Sequence, residues 1–186
     1  MTYVLAFAGK RLSGKSLAAS IVLELDSRFI LKSFAEPAKQ AYCKMLGLKR
    51  ELYDTLKVKE SHRADFIEFV EKEKKTDPAI WAKTLFQNVK EDDYIVIDDL
   101  RFIEELQMIM KFKGIVYKIM ADPRVRAARG WKPDPAIDEH YSELEMDLSS
   151  DTFHKLTRGG GIYNNDASGE AKLRGQVYQI LMDHFR

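Results

Sequence analysis

The sequence predicts one three-layer α/β/α domain, residues 1–186, built around a five-stranded parallel sheet. Five short runs rich in β-branched and aromatic residues support this prediction, because each is apolar at consecutive positions, as strands covered on both faces are. Helical patterns separate the runs, and strands that alternate with helices pair in parallel through right-handed crossovers. The length of 186 residues suits a single domain. The five runs are residues 3–8, 29–34, 94–97, 115–120 and 162–163.

Helical patterns fill most of the intervals between the strands. Apolar residues recur there every three or four positions, as they do on the buried face of a helix. Pro37 is placed to begin one helix and Gly47 to end it. Asp77 caps another helix, which opens at Pro78 and turns Trp81 toward the core. The remaining helices are predicted over residues 17–25, 58–75, 103–112 and 173–185.

Composition limits the classes of function. Thirty Lys and Arg against 29 Asp and Glu leave a formal net charge of +1, which argues against nucleic-acid binding through a large basic surface. The single cysteine, Cys43, forms no internal disulfide and supplies no cysteine-rich metal site. No segment has a signal-peptide pattern or the roughly 20 apolar residues of a membrane span. We therefore expect a cytoplasmic protein, a monomer or small homo-oligomer, with neither membrane nor nucleic acid as partner.

Residues 9–16, called the P-loop below, match the phosphate-binding pattern G-x-x-x-x-G-K-[ST] at every fixed position. An apolar strand precedes the motif and a helix follows it, which is the context that phosphate binding requires. Lys15 is expected to reach the β- and γ-phosphates of ATP, and the Ser16 hydroxyl to bind Mg²⁺. The predicted nucleotide-binding residues of this segment are Gly9, Lys10, Arg11, Ser13, Gly14, Lys15, Ser16 and Leu17.

Two adjacent carboxylates end the third predicted strand. Asp98 and Asp99 place oxygen ligands at the carboxyl edge of the sheet, where α/β folds bind ligands, and with Ser16 they predict a Mg²⁺ site. Which of the two serves the metal is open, and the alternative is that the pair caps the following helix. The guanine-binding pattern N-K-x-D is missing, so a GTPase is not expected. The chain is also too short for a motor ATPase.

Residues 124–148 predict a mobile lid. The segment is rich in Gly, Pro and charged residues, and long irregular segments inside compact domains are commonly functional. It begins with Arg124, Arg126 and Arg129, of which the last two are three residues apart and share one helical face. Arginines in a lid can neutralise a phosphoryl group during transfer, so Arg126 and Arg129 are predicted to be catalytic together with Lys15. A solvated basic helix is the alternative.

Six segments carry a resemblance to a known group of enzymes. They are residues 9–16, 35–39, 99–101, 126–131, 138–147 and 164–166, in that order. Over nearly its whole length the chain resembles the small P-loop kinases that unite phage and viral deoxynucleoside monophosphate kinases with animal-type phosphomevalonate kinase. The resemblance implies a nucleoside-monophosphate-kinase fold. It also implies transfer of the γ-phosphoryl group of ATP to an acceptor that is already phosphorylated.

The resemblance also implies roles for single residues. Lys39 and Arg101 would hold the acceptor phosphate, within an acceptor-binding region that covers residues 35–85. Asn165, just past the last predicted strand, would lie near the adenine of ATP. Arg63, on the amphipathic helix predicted there, could contact the acceptor's anionic groups, and its alternative is a surface salt bridge.

The identity of the acceptor is the open question. Residues 99–106 and 77–81 are similar to the phage and viral nucleotide kinases, whereas residues 129–131, followed by an acidic segment, are similar to phosphomevalonate kinase. Trp81 and Phe34 could stack on a nucleotide base, although both are also typical core residues. The sequence favours a deoxynucleoside monophosphate as acceptor and leaves phosphomevalonate as the alternative. A non-catalytic module that binds ATP as a conformational switch is the alternative from another class.

Overall fold

A computed structural model describes residues 2–55, 58, 61–139, 157–165 and 170–186, with the backbone alone at 136 and 137. Contacts within the chain divide it into two units. The sheet unit contains Met1–Lys32 and Lys90–Arg186, and the helical unit is Ser33–Val89. The P-loop lies in the sheet unit, whereas the predicted acceptor-binding region, residues 35–85, lies in the helical unit.

A five-stranded parallel sheet forms the centre of the sheet unit. Its strands are β1 (Tyr3–Ala8), β2 (Phe29–Lys32), β3 (Tyr94–Leu100), β4 (Ile115–Met120) and β5 (Gly161–Tyr163), in the spatial order β2-β3-β1-β4-β5. Every pairing among these strands is parallel, which confirms the predicted fold class. Because β1 pairs with β3 on one side and β4 on the other, its carboxyl end opens where the strand order reverses. Open α/β sheets bind their ligands at such points.

Helices connect the strands and build the helical unit. In chain order the described residues contain α1 (Lys15–Leu25), α2 (Ala35–Leu46), α3 (Arg50–Tyr53), α4 (Arg63–Thr76), α5 (Ile80–Gln87), α6 (Ile103–Lys111), α7 (Pro123–Ala128), α8 (Pro135–Asp138) and α9 (Glu170–His184). The predicted helices are present, with ends shifted by a few residues, and α4 begins later than its predicted start at residue 58. α8 and most of α7 fall inside the predicted lid, whose residues 140–148 lie outside the described residues.

Helices cover both faces of the sheet. Phe7 of β1 belongs to one buried core with Ile21 of α1 and Val177 of α9. Val4 points to the opposite face, because side chains alternate along a strand. On that side, a Cβ placed on Gly114, in the turn after α6, would come within 3.1 Å of the Val4 Cβ. Both β1 side chains are buried, so the predicted three-layer arrangement is confirmed.

The helical unit has an aromatic core. Tyr42 and Cys43 of α2 are buried together with Tyr53 of α3. Phe66 and Phe69 of α4 pack against them, with ring centroids 5.4 and 5.5 Å from that of Tyr42. Burial disfavours a charged side chain, and it therefore raises the pKa of the Cys43 thiol and of both tyrosine hydroxyls.

Of the helix ends predicted at Gly47 and at Asp77, the first is confirmed. α2 ends at Gly47, whose φ of 65° is the left-handed conformation of a C-cap glycine. Asp77 Oδ1 accepts the backbone N–H of Ala79 at 3.1 Å in the turn before α5, but this helix begins at Ile80, later than predicted, and has no side-chain cap; Trp81 turns inward from it. Within the described residues, no helix combines the length and the apolar character needed to cross a lipid bilayer.

Candidate functional site

The P-loop connects β1 to α1 in a conformation that depends on its two glycines. Gly9 has a φ of 139° and Gly14 a φ of 110°, both in the range that L side chains rarely adopt. A Cβ at Gly9 would lie 2.3 Å from the carbonyl oxygen of Ile119. A Cβ at Gly14 would lie 2.3 Å from Asn164 Nδ2. The loop backbone therefore passes so close to the ends of β4 and β5 that no larger residue fits at either position.

The Lys15 ammonium lies inside the P-loop. Its Nζ donates to the carbonyl oxygens of Gly9 at 2.6 Å and Lys10 at 3.0 Å. Ser13 Oγ is buried in the same loop, and it has no hydrogen-bond partner within the described residues. A buried hydroxyl without a partner carries a desolvation cost. Together with the backbone N–H groups at the start of α1, the hydroxyl and the ammonium form a site suited to an anion.

A cavity of about 280 Å³ opens beside the P-loop. The first three residues of α1 reach it, and two of them, Ser16 and Leu17, are exposed to solvent. Residues that the sequence predicts to bind nucleotide thus share one cavity with an arginine of the predicted lid. The lining residues are Leu12, Gly14, Lys15, Ser16, Leu17, Arg129 and Asn164.

Both predicted lid arginines lie against the P-loop. Arg129 Nη1 donates to the carbonyl oxygens of Leu12 at 3.3 Å and Ser13 at 3.2 Å. Arg126 is 6% exposed, and its Nη1 lies 3.5 Å from the carbonyl oxygen of Arg11. Arg126 belongs to α7 and Arg129 is the next residue after its end, so one short helix presents both. The described part of the predicted lid therefore contacts the P-loop, and its closure over a nucleotide stays a prediction.

The sequence prediction missed Asn164 as a residue of this site. Its Nδ2 donates to the carbonyl oxygen of Ser13 at 2.8 Å, and its Oδ1 accepts from Arg129 Nη2 at 3.1 Å. Its neighbour Asn165 is exposed, with Oδ1 accepting the backbone N–H of Asp122 at 2.8 Å, and its contact with adenine stays a prediction. Its position in the sequence could have predicted this role, because Asn164 directly follows β5 at the sheet edge where the P-loop begins.

The two carboxylates predicted to bind Mg²⁺ lie near the end of β3, which continues one residue beyond them to Leu100. The register of β1 against β3 shifts beside them, between Ala6 and Ala8, and such irregularities often re-aim side chains next to active sites. Asp98 and Asp99 are half-buried there, next to the end of β1 that leads into the P-loop. The described residues contain no group of three or more His, Cys, Asp or Glu able to hold a metal ion.

Arg101 follows β3 at the same edge of the sheet. Its backbone N–H donates to Glu105 Oε2 at 2.8 Å, and the N–H of Phe102 donates to the same oxygen at 3.1 Å. Glu105 lies in the first turn of α6 and so caps that helix. The cap of α6 therefore does not require the neighbouring Asp pair.

The remaining predicted acceptor residues belong to the helical unit. Lys39, on α2, is half-buried, and its Nζ lies 3.2 Å from Asp54 Oδ1. Arg50 contacts Asp54 Oδ2 at 2.8 Å and Glu36 Oε2 at 2.6 Å. Burial raises the pKa of Asp54, but the hydrogen bonds from Arg50 and Lys39 outweigh burial and leave the pKa below its ordinary value. Arg63 is the first residue of α4 and is exposed.

Comparison with known proteins identifies relatives of the chain. The model of the phosphomevalonate kinase family matches residues 7–114, which is more than half of the sequence. The phosphomevalonate kinase of Drosophila melanogaster is 25% identical over 195 residues, a match that covers 100% of this chain and 98% of that protein.

Solved structures with similar folds are more distant in sequence. Shikimate kinase from Acinetobacter baumannii, in complex with shikimate, has a TM-score of 0.51 at 12% identity and covers 100% of this chain and 95% of its own. The protein TT1252 from Thermus thermophilus has a TM-score of 0.56 at 12% identity, with 98% and 97% covered. At such low identities the likeness concerns the fold alone.

Proposed function

The chain belongs to the phosphomevalonate kinase family, and on that basis we propose that it transfers the γ-phosphoryl group of ATP to phosphomevalonate. It is a kinase of the P-loop fold that acts on a phosphorylated small molecule. The family match over residues 7–114 carries the proposal, because this range contains the P-loop together with Lys39, Arg63 and Arg101.

The family match favours phosphomevalonate over the deoxynucleoside monophosphate that the sequence motifs favour. For a nucleotide acceptor, the sequence offers Phe34 and Trp81 as aromatic rings on which the base could stack. They are only 2% and 9% exposed. Phe34 packs against Phe86 with ring centroids 6.3 Å apart, and Trp81 against Phe69 at 5.8 Å. Both rings are packed in the core of the helical unit and are not open to a base, which supports an acceptor that has no base.

The P-loop fits the triphosphate of ATP. The positive φ angles of Gly9 and Gly14 wrap the backbone around a cradle that a Cβ would fill. Ser13 Oγ and Arg126 Nε are buried polar atoms with no hydrogen-bond partner in the described part of the chain, and both can donate to phosphate oxygens. Lys15 would exchange its bonds to the loop carbonyls for bonds to the β- and γ-phosphates.

Three side chains offer the oxygen ligands that Mg²⁺ prefers. They are the Ser16 hydroxyl, in the first turn of α1, and the carboxylates of Asp98 and Asp99, beside the end of β1. Mg²⁺ bound there would neutralise negative charge on the phosphates of ATP. A hydroxyl and two carboxylates are the kinds of oxygen ligand that suit Mg²⁺, and we propose all three as its ligands.

Transfer needs no general base from the protein, because the attacking atom is an anionic oxygen of the acceptor phosphate. Lys39, Arg63 and Arg101 would hold that phosphate and orient the oxygen toward the γ-phosphorus. The new phosphorus–oxygen bond forms as the bond to the departing ADP oxygen breaks. Arg126 and Arg129 would neutralise charge on the transferring group and exclude water, which would otherwise hydrolyse ATP.

An ADP-release assay with phosphomevalonate, dTMP, dGMP, dCMP and dAMP as separate acceptors tests this proposal. We expect turnover that requires Mg²⁺, ATP and phosphomevalonate, with a diphosphate product visible by phosphorus NMR. Lys15→Met should remove the activity, whereas Lys111→Met, at the exposed end of α6, should retain it. Turnover with deoxynucleoside monophosphates alone would contradict the proposed acceptor. Turnover with none of the five, combined with intact ATP binding, would favour a non-catalytic switch.

A further inference from the structure

We propose that Asn164 is a positioning residue, whose amide ties Arg129 to the P-loop and holds the guanidinium at the wall of the cavity. The inference rests on the proposed binding of ATP in that cavity. Asn164 is 3% exposed and lines the cavity together with Lys15 and Arg129. A polar side chain buried to this extent must satisfy its hydrogen bonds within the protein.

Asn164 forms hydrogen bonds in three directions. Its Nδ2 donates to the carbonyl oxygen of Ser13 at 2.8 Å. Its Oδ1 and its main-chain oxygen both accept from Arg129 Nη2, at 3.1 and 3.0 Å. Its backbone N–H donates to the carbonyl oxygen of Met120 at 2.8 Å, which anchors the residue to the end of β4. The rigid sheet therefore fixes the position of the amide.

Arg129 completes a ring of hydrogen bonds with Asn164 and Ser13. Its other terminal nitrogen, Nη1, donates to the same Ser13 carbonyl oxygen at 3.2 Å, so this oxygen accepts from both Asn164 and Arg129. The planar guanidinium is thereby held through both terminal nitrogens. A cation that is already ordered loses less conformational entropy when it engages a phosphate, which favours both binding and transfer.

The chemistry of the contact requires an amide. One arm of the side chain donates to a carbonyl oxygen and the other accepts from a guanidinium, which a carboxylate of the same size cannot do. An Asp at position 164 would turn an oxygen toward the carbonyl oxygen of Ser13. The close approach of Nδ2 also explains why residue 14 is Gly, since a Cβ there would lie 2.3 Å from this nitrogen.

A double-mutant cycle in the whole chain tests the proposal, using Asn164→Ala, Arg129→Ala and the double variant. Calorimetric titration with Mg·ATP measures affinity, and phosphomevalonate-dependent ADP release measures kcat. We expect Asn164→Ala to weaken Mg·ATP binding about tenfold, as the loss of a hydrogen bond to a charged group does. In the Arg129→Ala background the same change should cost about twofold or less, because the partner is already missing.

Asn88→Ala is the matched control. Its side chain also donates to a backbone carbonyl oxygen, that of Thr84 at 3.3 Å, but on the exposed surface of the helical unit. This variant should leave affinity and kcat unchanged. If Asn164→Ala does not fold by circular dichroism, Asn164→Ser, which keeps a hydroxyl, takes its place in the same cycle.

Equal losses of Mg·ATP affinity from Asn164→Ala in both backgrounds would overturn the proposal, because they would mean that the residue does not act through Arg129. An unchanged affinity in the single variant would also overturn it. If the unaltered chain binds Mg·ATP but does not phosphorylate phosphomevalonate, the proposed acceptor is wrong, and the affinity cycle still decides the role of Asn164.

Discussion

The guanidinium carbon of Arg126 lies 4.0 Å from the centroid of the Trp131 ring, within the range of a cation–π contact. The indole is itself held, because Trp131 Nε1 donates to Asp138 Oδ1 at 3.0 Å. The other oxygen of this carboxylate accepts the backbone N–H of Asp134 at 2.8 Å. The hydrogen bonds from Asp134 and Trp131 lower the pKa of Asp138. Trp131 is therefore placed to report where the Arg126 guanidinium lies.

Binding of Mg·ATP should change the fluorescence of Trp131, because an arginine that moves from the ring to a phosphate removes a cation from the indole. The chain has two tryptophans, so Trp81→Phe leaves Trp131 as the sole reporter. That change should be tolerated, since Trp81 Nε1 has no hydrogen-bond partner among the described residues. We expect a saturable change at the affinity found by calorimetry, and none in a Trp81→Phe variant that also carries Arg126→Ala. Constant emission at saturating Mg·ATP would contradict the movement.

Lys39→Ala should raise the KM for phosphomevalonate about tenfold or more, because it removes a charged hydrogen bond to the acceptor. The affinity for Mg·ATP should stay the same. Steady-state kinetics and calorimetry measure the two quantities. Lys44→Ala is the matched control, because this lysine lies on the same helix and is exposed. A KM unchanged by Lys39→Ala would remove Lys39 from the acceptor site.

Replacing Gly14 and Gly175 by Ala should have opposite effects on stability. Gly14→Ala combines a φ of 110° with a clash at 2.3 Å, so we expect a loss of about 2 kcal/mol or more and no measurable ATP binding. Gly175 lies in α9, where an added Cβ would meet open space, and Ala there should stabilise by about 0.5–1 kcal/mol. Urea unfolding measures both changes. Equal effects of the two variants would contradict the constrained conformation of the P-loop.

The helical unit should lose stability at alkaline pH. Burial raises the pKa of Cys43, Tyr42 and Tyr53 above the ordinary values of 9.0 for the thiol and 10.0 for the phenols. The folded state therefore keeps these protons at a pH where the unfolded chain releases them. The contribution of these groups to the free energy of unfolding is fully present below about pH 9 and is lost as the pH rises through their raised pKa values.

Urea unfolding midpoints between pH 7 and pH 11 measure this dependence. Cys43→Ala should lower the midpoint at pH 7 but make its decline above pH 9 shallower, because one of the three titrating groups is gone. The same slope above pH 9 in both proteins would show that the Cys43 thiol does not contribute.

Local patterns predicted most of the fold because strands, helices and caps depend on neighbours in sequence. The apolar runs predicted β1 and β4 over their full lengths, and Gly47 predicted the end of α2. The P-loop motif predicted a turn between a strand and a helix, with glycines at both of its constrained positions. β3 continues one residue beyond Asp98 and Asp99, to Leu100. The last residue of the strand, Leu100, pairs with Ala8 beyond a shift in register, and no local pattern predicts a pairing between segments so far apart in sequence.

The sequence by itself therefore determined the parallel α/β architecture, the anion cradle and the residue types that suit phosphoryl transfer, since each follows from chemistry within a few residues. Only the tertiary structure decided which distant groups meet: Asn164 with Ser13, Arg129 with the same carbonyl, and Lys39 with Asp54. The strand order β2-β3-β1-β4-β5 determines the first two of these meetings. It brings the segments that follow β4 and β5 to the sheet edge where β1 ends, and no local pattern encodes a distance between segments more than 100 residues apart.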